Sequence, residues 1–366
     1  MLSSIQLPVA KEASGQCSTI FINQTTYSTG SNPNTLKAVD VNGDGKLDII
    51  VANYDSNNVG VLLNIGNCTF AAQKTYSTGS GSSPYYVTAA DVNGDGKHDI
   101  IVANYGSNNV GVLLNIGNGT FAAQATYSSG AGSGPYSVVA ADVNGDGKPD
   151  IIVANSGLSN VGVRLNKGNG TFAAQKTYLT GIGPAEATAA DVNGDGKLDI
   201  IVANSYSNNT GVLLNTGNGT FSAQTAYLTG TSPGSVVAAD VNGDGKLDMI
   251  VANYGSNNIG VLLNIANGTF ATQTTYSTGT NPIEVAAADV NGDGKPDIIV
   301  ANYGSNNVGV LLNMGNDTFA AQATYSTGSG SSPYYVTAAD VNGDGKPDII
   351  VANYGSNNIG VLLNYC

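Results

Sequence analysis

The chain has 366 residues, 41% hydrophobic and 11% charged, with a formal net charge of −13. Its 49 glycines and 11 prolines describe a turn-rich globular protein, and no apolar run approaches the ~20 residues needed to cross a membrane as a helix. No stripe of lysine and arginine forms among 13 basic residues, which argues against nucleic acid as a partner.

Residues 1–17 read as an N-terminal extension; Met1 to Gly15 has no apolar centre of the kind a signal peptide carries. The segment 18–27 then reads as a strand without a partner, ending in Tyr-Ser-Thr-Gly. From there to residue 366 one pattern repeats. Loops of the form Asp-x-Asn-Gly-Asp-Gly-x-x-Asp occupy 40–48, 91–99, 142–150, 191–199, 240–248, 289–297 and 340–348, at intervals of 51, 51, 49, 49, 49 and 51 residues. Periods near 50 point to a propeller or a solenoid.

Each repeat reads as four short strands, in the second repeat Val87–Asp91, Asp99–Asn104, Val110–Asn115 and Thr120–Tyr127. The second, Asp-Ile-Ile-Val-Ala-Asn, is apolar on both faces, as suits a strand sandwiched between neighbours. Asn118-Gly119 is a hairpin signal because both residues tolerate positive φ. All seven phenylalanines take one repeat position and read as a core plug in each blade. From the first loop aspartate to the fourth-strand tyrosine is 36 residues in six repeats, but only 26 residues follow Asp340. The ten residues 18–27 supply what the last repeat lacks. A closed all-β, seven-bladed β-propeller of four-stranded antiparallel blades is therefore expected, with its last blade completed by the N-terminal strand, which removes exposed sheet edges. Cys17 and Cys366 map to the repeat position of Gly66, so a disulfide between them would latch the ring and imply an oxidising compartment. Cys68 reads as a replaced turn glycine, comparable with Gly119.

The loops place oxygen donors at alternating positions. In the first, Asp40, Asn42 and Asp44 stand at positions 1, 3 and 5, Lys46 offers its main-chain carbonyl, Asp48 closes the set and Gly45 permits the sharp turn. This is the spacing of an EF-hand loop, but the twelfth position is Val51 and strands flank it where helices would be. Hard oxygen ligands suit calcium. The same sets recur at Asp91, Asn93, Asp95, Lys97 and Asp99; at Asp142, Asn144, Asp146, Lys148 and Asp150; at Asp191, Asn193, Asp195, Lys197 and Asp199; at Asp240, Asn242, Asp244, Lys246 and Asp248; at Asp289, Asn291, Asp293, Lys295 and Asp297; and at Asp340, Asn342, Asp344, Lys346 and Asp348. The loops hold 21 of the 26 acidic residues, so the acidity belongs to up to seven Ca2+ sites.

The run Asp-Val-Asn-Gly-Asp-Gly-Lys-x-Asp-Ile-Ile-Val-Ala-Asn resembles the FG-GAP/VCBS repeat that builds the integrin α-subunit propeller and many secreted propellers. The resemblance covers about residues 18–366. It implies seven blades, calcium between the first and second strands, and closure by the N-terminus. The literal Phe-Gly and Gly-Ala-Pro elements are absent, which separates this chain from integrin-like partner binding.

All length variation falls between the fourth-strand tyrosine and the next loop, a connection on the face opposite the calcium loops. The three long versions carry Tyr85, Tyr86, Tyr136, Tyr334 and Tyr335, where the short ones have Asn34, Ala185, Gly234 and Ile283. These tyrosines are candidate ligand-binding residues, for stacking on a sugar or packing on a protein; local packing is the competing reading. Tyr54, Tyr105, Tyr254, Tyr303 and Tyr354 form a more evenly spread second set on that face. Asn-x-Thr sequons at Asn23, Asn67, Asn118, Asn169, Asn208, Asn218, Asn267 and Asn316 permit glycosylation, although most coincide with hairpin turns. His98, the single histidine, takes a position held by Leu or Pro in other repeats, and the carboxylates outside the loops read as scattered singly. The expectation is a non-enzyme, extracellular, acting as a recognition or adhesion module for a protein or glycan ligand; a multivalent lectin and a matrix spacer are the alternatives.

Overall fold

The computed structural model describes residues 20–365, which form seven four-stranded antiparallel sheets around a common axis. The second blade consists of Pro84–Ala90, Asp99–Asn104, Asn109–Leu113 and Ala125–Ser128, from the axis outward. The other blades repeat this order, and the innermost strand of blade 1 packs against that of blade 7. Closure is the expected one: Thr25–Ser28 pairs antiparallel with Asn358–Leu362, and Phe21 bridges Asn364. The Tyr365 amide donates to the Ile20 carbonyl at 3.0 Å. Ser18, Thr19 and the expected disulfide partners Cys17 and Cys366 lie outside the described residues. Cys68 has φ 54°, the left-handed conformation of the turn glycine it replaces.

The second strand is buried along its whole length because alternate side chains serve opposite neighbours. Ile50 and Ala52 pack against Val87, Ile100 and Val102 of blade 2, while Ile49 and Val51 pack against Ile350 and Ala352 of blade 7. Each buried isoleucine contributes about 1.5–3 kcal/mol, so the apolar core lies between blades.

The expected fourth strand Thr120–Tyr127 is two pieces. Thr120–Phe121 pairs with Asn115–Gly117 across a tight turn in which Asn118 and Gly119 have φ 51° and 63°, and the strand proper begins at Ala125. The break turns Phe121 into the interblade core, where it meets Tyr76 of the preceding blade edge to face at 5.3 Å, and Tyr76 Oη donates to the Gly119 carbonyl. It also folds Gln124 over Gly111, where a Cβ would stand 2.0 Å from Gln124 Oε1, so a larger residue there would displace the glutamine side chain.

A buried asparagine latches each blade to its neighbour. Asn115 Nδ2 donates to the Val41 carbonyl in the first loop of blade 1 (2.9 Å) and to the His98 carbonyl (3.0 Å), while its own amide donates to Asp99 Oδ1 (2.7 Å). Asn64, Asn166, Asn215, Asn264, Asn313 and Asn364 do the same around the ring. The acidic loops and the blade interfaces are thus one connected hydrogen-bond system.

Candidate functional site

The two rims of the ring present different chemistry. At one rim stand the seven acidic loops. In the first, Gly43 and Gly45 take φ 80° and 81°, which curls the chain so that Asp40 accepts from the Gly43 and Gly45 amides and Asn42 Oδ1 from the Asp44 amide. Asp44 accepts from the Lys46 amide and from Lys46 Nζ at 2.9 Å, which holds its carboxyl below the usual range. The Lys–Asp contact recurs in five further loops. Asp48 lies fully buried at the base, its oxygens accepting from the Val41 and Asn64 amides, and burial raises its pKa, with the charges of Asp44 and Asp40 adding to the effect. Among the described residues no three side chains of His, Cys, Asp or Glu stand close enough to share an ion. The donor chemistry nonetheless fits a hard cation: oxygens only, on one tightly curled loop, currently turned onto the loop's own amides. His98 is exposed at this rim, with Nδ1 3.3 Å from the Asp40 carbonyl.

At the opposite rim the central channel opens into a cavity of about 330 Å³. Tyr85, Tyr136 and Tyr334 meet there. The rings of Tyr85 and Tyr136 are 3.8 Å apart between centroids, Tyr334 stands edge-on to Tyr85 at 6.0 Å, and the Tyr85 and Tyr334 hydroxyls are hydrogen-bonded. One layer deeper Tyr86 and Tyr335 meet edge to face at 5.8 Å. A register shift between Pro84 and Tyr86 allows two consecutive tyrosines to line the same cavity, against strict strand alternation. The five tyrosines are thus half-buried and packed on each other at the channel mouth. Four of the second set enclose them: Tyr54 and Tyr105 against Tyr85, Tyr303 and Tyr354 against Tyr334. Tyr254 lines the cavity as well.

The tyrosines crowd one side, on blades 7, 2 and 3. On blades 4 to 6 the matching residues are Ala185, Gly234 and Ile283, and there the cavity reaches the next layer. That layer is one repeat position read around the ring: Thr35, Tyr86, Ser137, Glu186, Ser235, Glu284 and Tyr335. The reading of the non-loop carboxylates as scattered is therefore corrected. Glu186 and Glu284 are two 49-residue repeats apart in sequence, and the ring brings both to the same layer of the channel on blades 4 and 6. Glu186 accepts from Tyr86 Oη at 3.0 Å and from the Val236 amide at 3.2 Å, and the Ser235 side chain stands beside both carboxyls. Burial pushes Glu186 up to about 7 and Glu284 well above its ordinary value, the charge of Glu186 adding to the latter. Aligning the repeats on this one column would have found the pair, since it alone mixes Thr, Tyr, Ser and Glu.

An FG-GAP-like repeat model matches residues 40–102, 91–153, 142–202, 191–251, 240–300 and 289–351. No curated protein sequence matches the chain significantly. Among solved structures, virginiamycin B lyase from Staphylococcus aureus superposes with a TM-score of 0.66 at 14% identity, covering 93% of this chain and 98% of that one. A putative 6-phosphogluconolactonase from Bacteroides fragilis gives 0.64 at 16% identity, covering 85% and 88%. An Agrocybe aegerita lectin that recognises non-reducing terminal N-acetylglucosamine gives 0.57 at 21% identity, covering 98% and 88%. Propellers of this shape thus include enzymes as well as a lectin, and likeness at these identities establishes the fold alone. No helix among the described residues is long and apolar enough to cross a membrane.

Proposed function

This chain belongs to the FG-GAP-like repeat family, and on that premise we propose that it is a secreted, non-catalytic recognition module whose ligand enters the tyrosine-lined channel mouth. The observation that carries the reading is the lopsided mouth. A symmetric ring used only as a spacer has no need of tyrosines on three blades and small or aliphatic residues on three others. Here the asymmetry leaves a cavity of about 330 Å³ with aromatic walls and a few convergent polar groups, the composition of a small-ligand site.

Calcium belongs to the same proposal as a structural ion at the opposite rim. Asp40, Asn42, Asp44, the Lys46 carbonyl and Asp48 would hold it, as would their counterparts in the other six loops. The ion supplies positive charge to a chain of net charge −13. The chain's own residues then transmit the effect: each loop's second residue accepts the latch from the next blade, as Val41 does from Asn115, so a stiffer loop is a stiffer blade interface.

A glycan is the second reading, favoured by the pairing of tyrosine faces with carboxyl and hydroxyl acceptors in one cavity. A glycan array with and without calcium, read on wild type and on Tyr136→Ala and Tyr334→Ala, tests both. Binding abolished by either variant supports the mouth as the site. Binding that both variants leave intact places the site elsewhere. A clean array with a protein partner retained only by wild type favours protein recognition over the lectin.

A further inference from the structure

We infer that the ligand of the channel mouth carries an organic cation, an ammonium or guanidinium group, that seats between Glu186 and Glu284 against the tyrosine wall. The inference rests on the mouth being the binding site. Glu186 and Glu284 are 7% and 8% exposed, and what remains exposed lines the cavity. Two carboxyls so placed require pairing or protonation, because a buried charge without a partner is expensive. Among the described residues no lysine, arginine or histidine forms an ion pair with either. Lys37, a cation on the inner face, stands two residues beyond this layer and lines, together with Glu186 and Glu284, a lower channel of about 450 Å³; it is exposed there and forms no ion pair with either. The groups that face the pair are Tyr86, Tyr335 and Ser235, with the Val236 amide. The tyrosines carry no charge at neutral pH, since burial pushes both above their ordinary range.

Protein dipoles stabilise the carboxylates in part, and burial together with mutual repulsion favours holding a proton instead. A cation entering from the open side over blades 4 to 6 removes that conflict, and Tyr86 and Tyr335 line the same cavity beside it. A metal ion is the poorer occupant, because it needs six or more oxygens gathered on one point and this site offers two carboxyls, of which Glu186 already accepts hydrogen bonds at both oxygens.

The test is calorimetric titration of wild type with butylammonium chloride and methylguanidinium chloride at pH 8 and pH 6, in two buffers of different ionisation heat, with n-butanol as the neutral isostere. The expected result is binding of at least one cation at pH 8, weaker by about tenfold at pH 6, where only about a tenth of a group titrating near 7 is ionised. Proton release on binding, loss of binding in Glu186→Gln and Glu284→Gln, and no binding of butanol complete it. Equal binding of butanol, no binding of either cation, or displacement of the cation by calcium would overturn it. Should the variants not fold, the isostere and pH comparisons on wild type decide alone. A Tyr136→Ala-sensitive array ligand with no cation binding would leave the mouth standing as the site and remove only this inference.

Discussion

Asn115→Ala removes one interblade latch without touching the apolar core. Asn115 is 2% exposed, and the change strips the Val41 and His98 carbonyls of a donor and the Gly117 amide of its acceptor, bonds of 2.9, 3.0 and 2.9 Å. Each buried hydrogen bond is worth roughly 1 kcal/mol net, and a polar group left unpaired costs about 1–3 kcal/mol, so the variant should lose about 2–4 kcal/mol. Asn115→Asp is the sharper probe. It preserves shape and the acceptor for Gly117 but turns oxygen toward two carbonyls, beside Asp99, so it should destabilise more than alanine does. The assay is urea unfolding followed by the fluorescence of the 19 tyrosines, since the chain has no tryptophan. A shift below about 0.5 kcal/mol for alanine, or an aspartate variant as stable as wild type, would refute the idea that the amide donors join the blades.

Chelation gives the second prediction. With a dissociation constant of about 0.1 mM, 1 mM calcium stabilises each loop by about 1.4 kcal/mol. The melting temperature should therefore fall in excess EGTA and recover with calcium but not with magnesium, and an unchanged melt would refute the calcium sites. Glu186 should make stability pH-dependent. Its carboxyl is pushed up to about 7 in the folded protein from about 4.5. Below pH 4.5 both states are protonated and nothing is lost; between 4.5 and 7 the folded state keeps a proton that the unfolded state releases, so stability falls as pH rises, by on the order of 3 kcal/mol. Glu186→Gln should flatten that part of the curve, and an identical slope in the variant would count against the burial argument. Cys68→Gly should stabilise the protein by up to about 1 kcal/mol, read as a higher urea midpoint, because a left-handed backbone strains any residue with a Cβ and φ here is 54°; a lower midpoint would contradict this.

Much of the molecule was legible in the sequence because repetition multiplies weak signals. One Asp-Ile-Ile-Val-Ala-Asn is ambiguous between strand and buried helix. Seven copies at intervals of 49 to 51, with an N-terminal strand completing the last, describe a closed ring. The acidic loops, the hairpin turns and the phenylalanine plugs followed for the same reason, since spacing along one chain settles them. The fourth strand was misjudged because nothing local marks the place where Ala122 to Gln124 leaves the sheet. The departure follows from Phe121 reaching into the interface with the preceding blade and Gln124 covering Gly111.

The sequence by itself determined the period, the closure and the oxygen-donor sets, which depend on local chemistry repeated in register. Only the tertiary structure decided what faces the axis. Closing seven strands into a circle gathers one position from every repeat into a single layer, so Glu186 and Glu284, remote along the chain, share one cavity and one field. A register shift at Pro84 then turns two consecutive tyrosines the same way, which alternation forbids to a regular strand. Proximity across a ring and departures from pleating are properties of the assembled sheets, and no single repeat contains them.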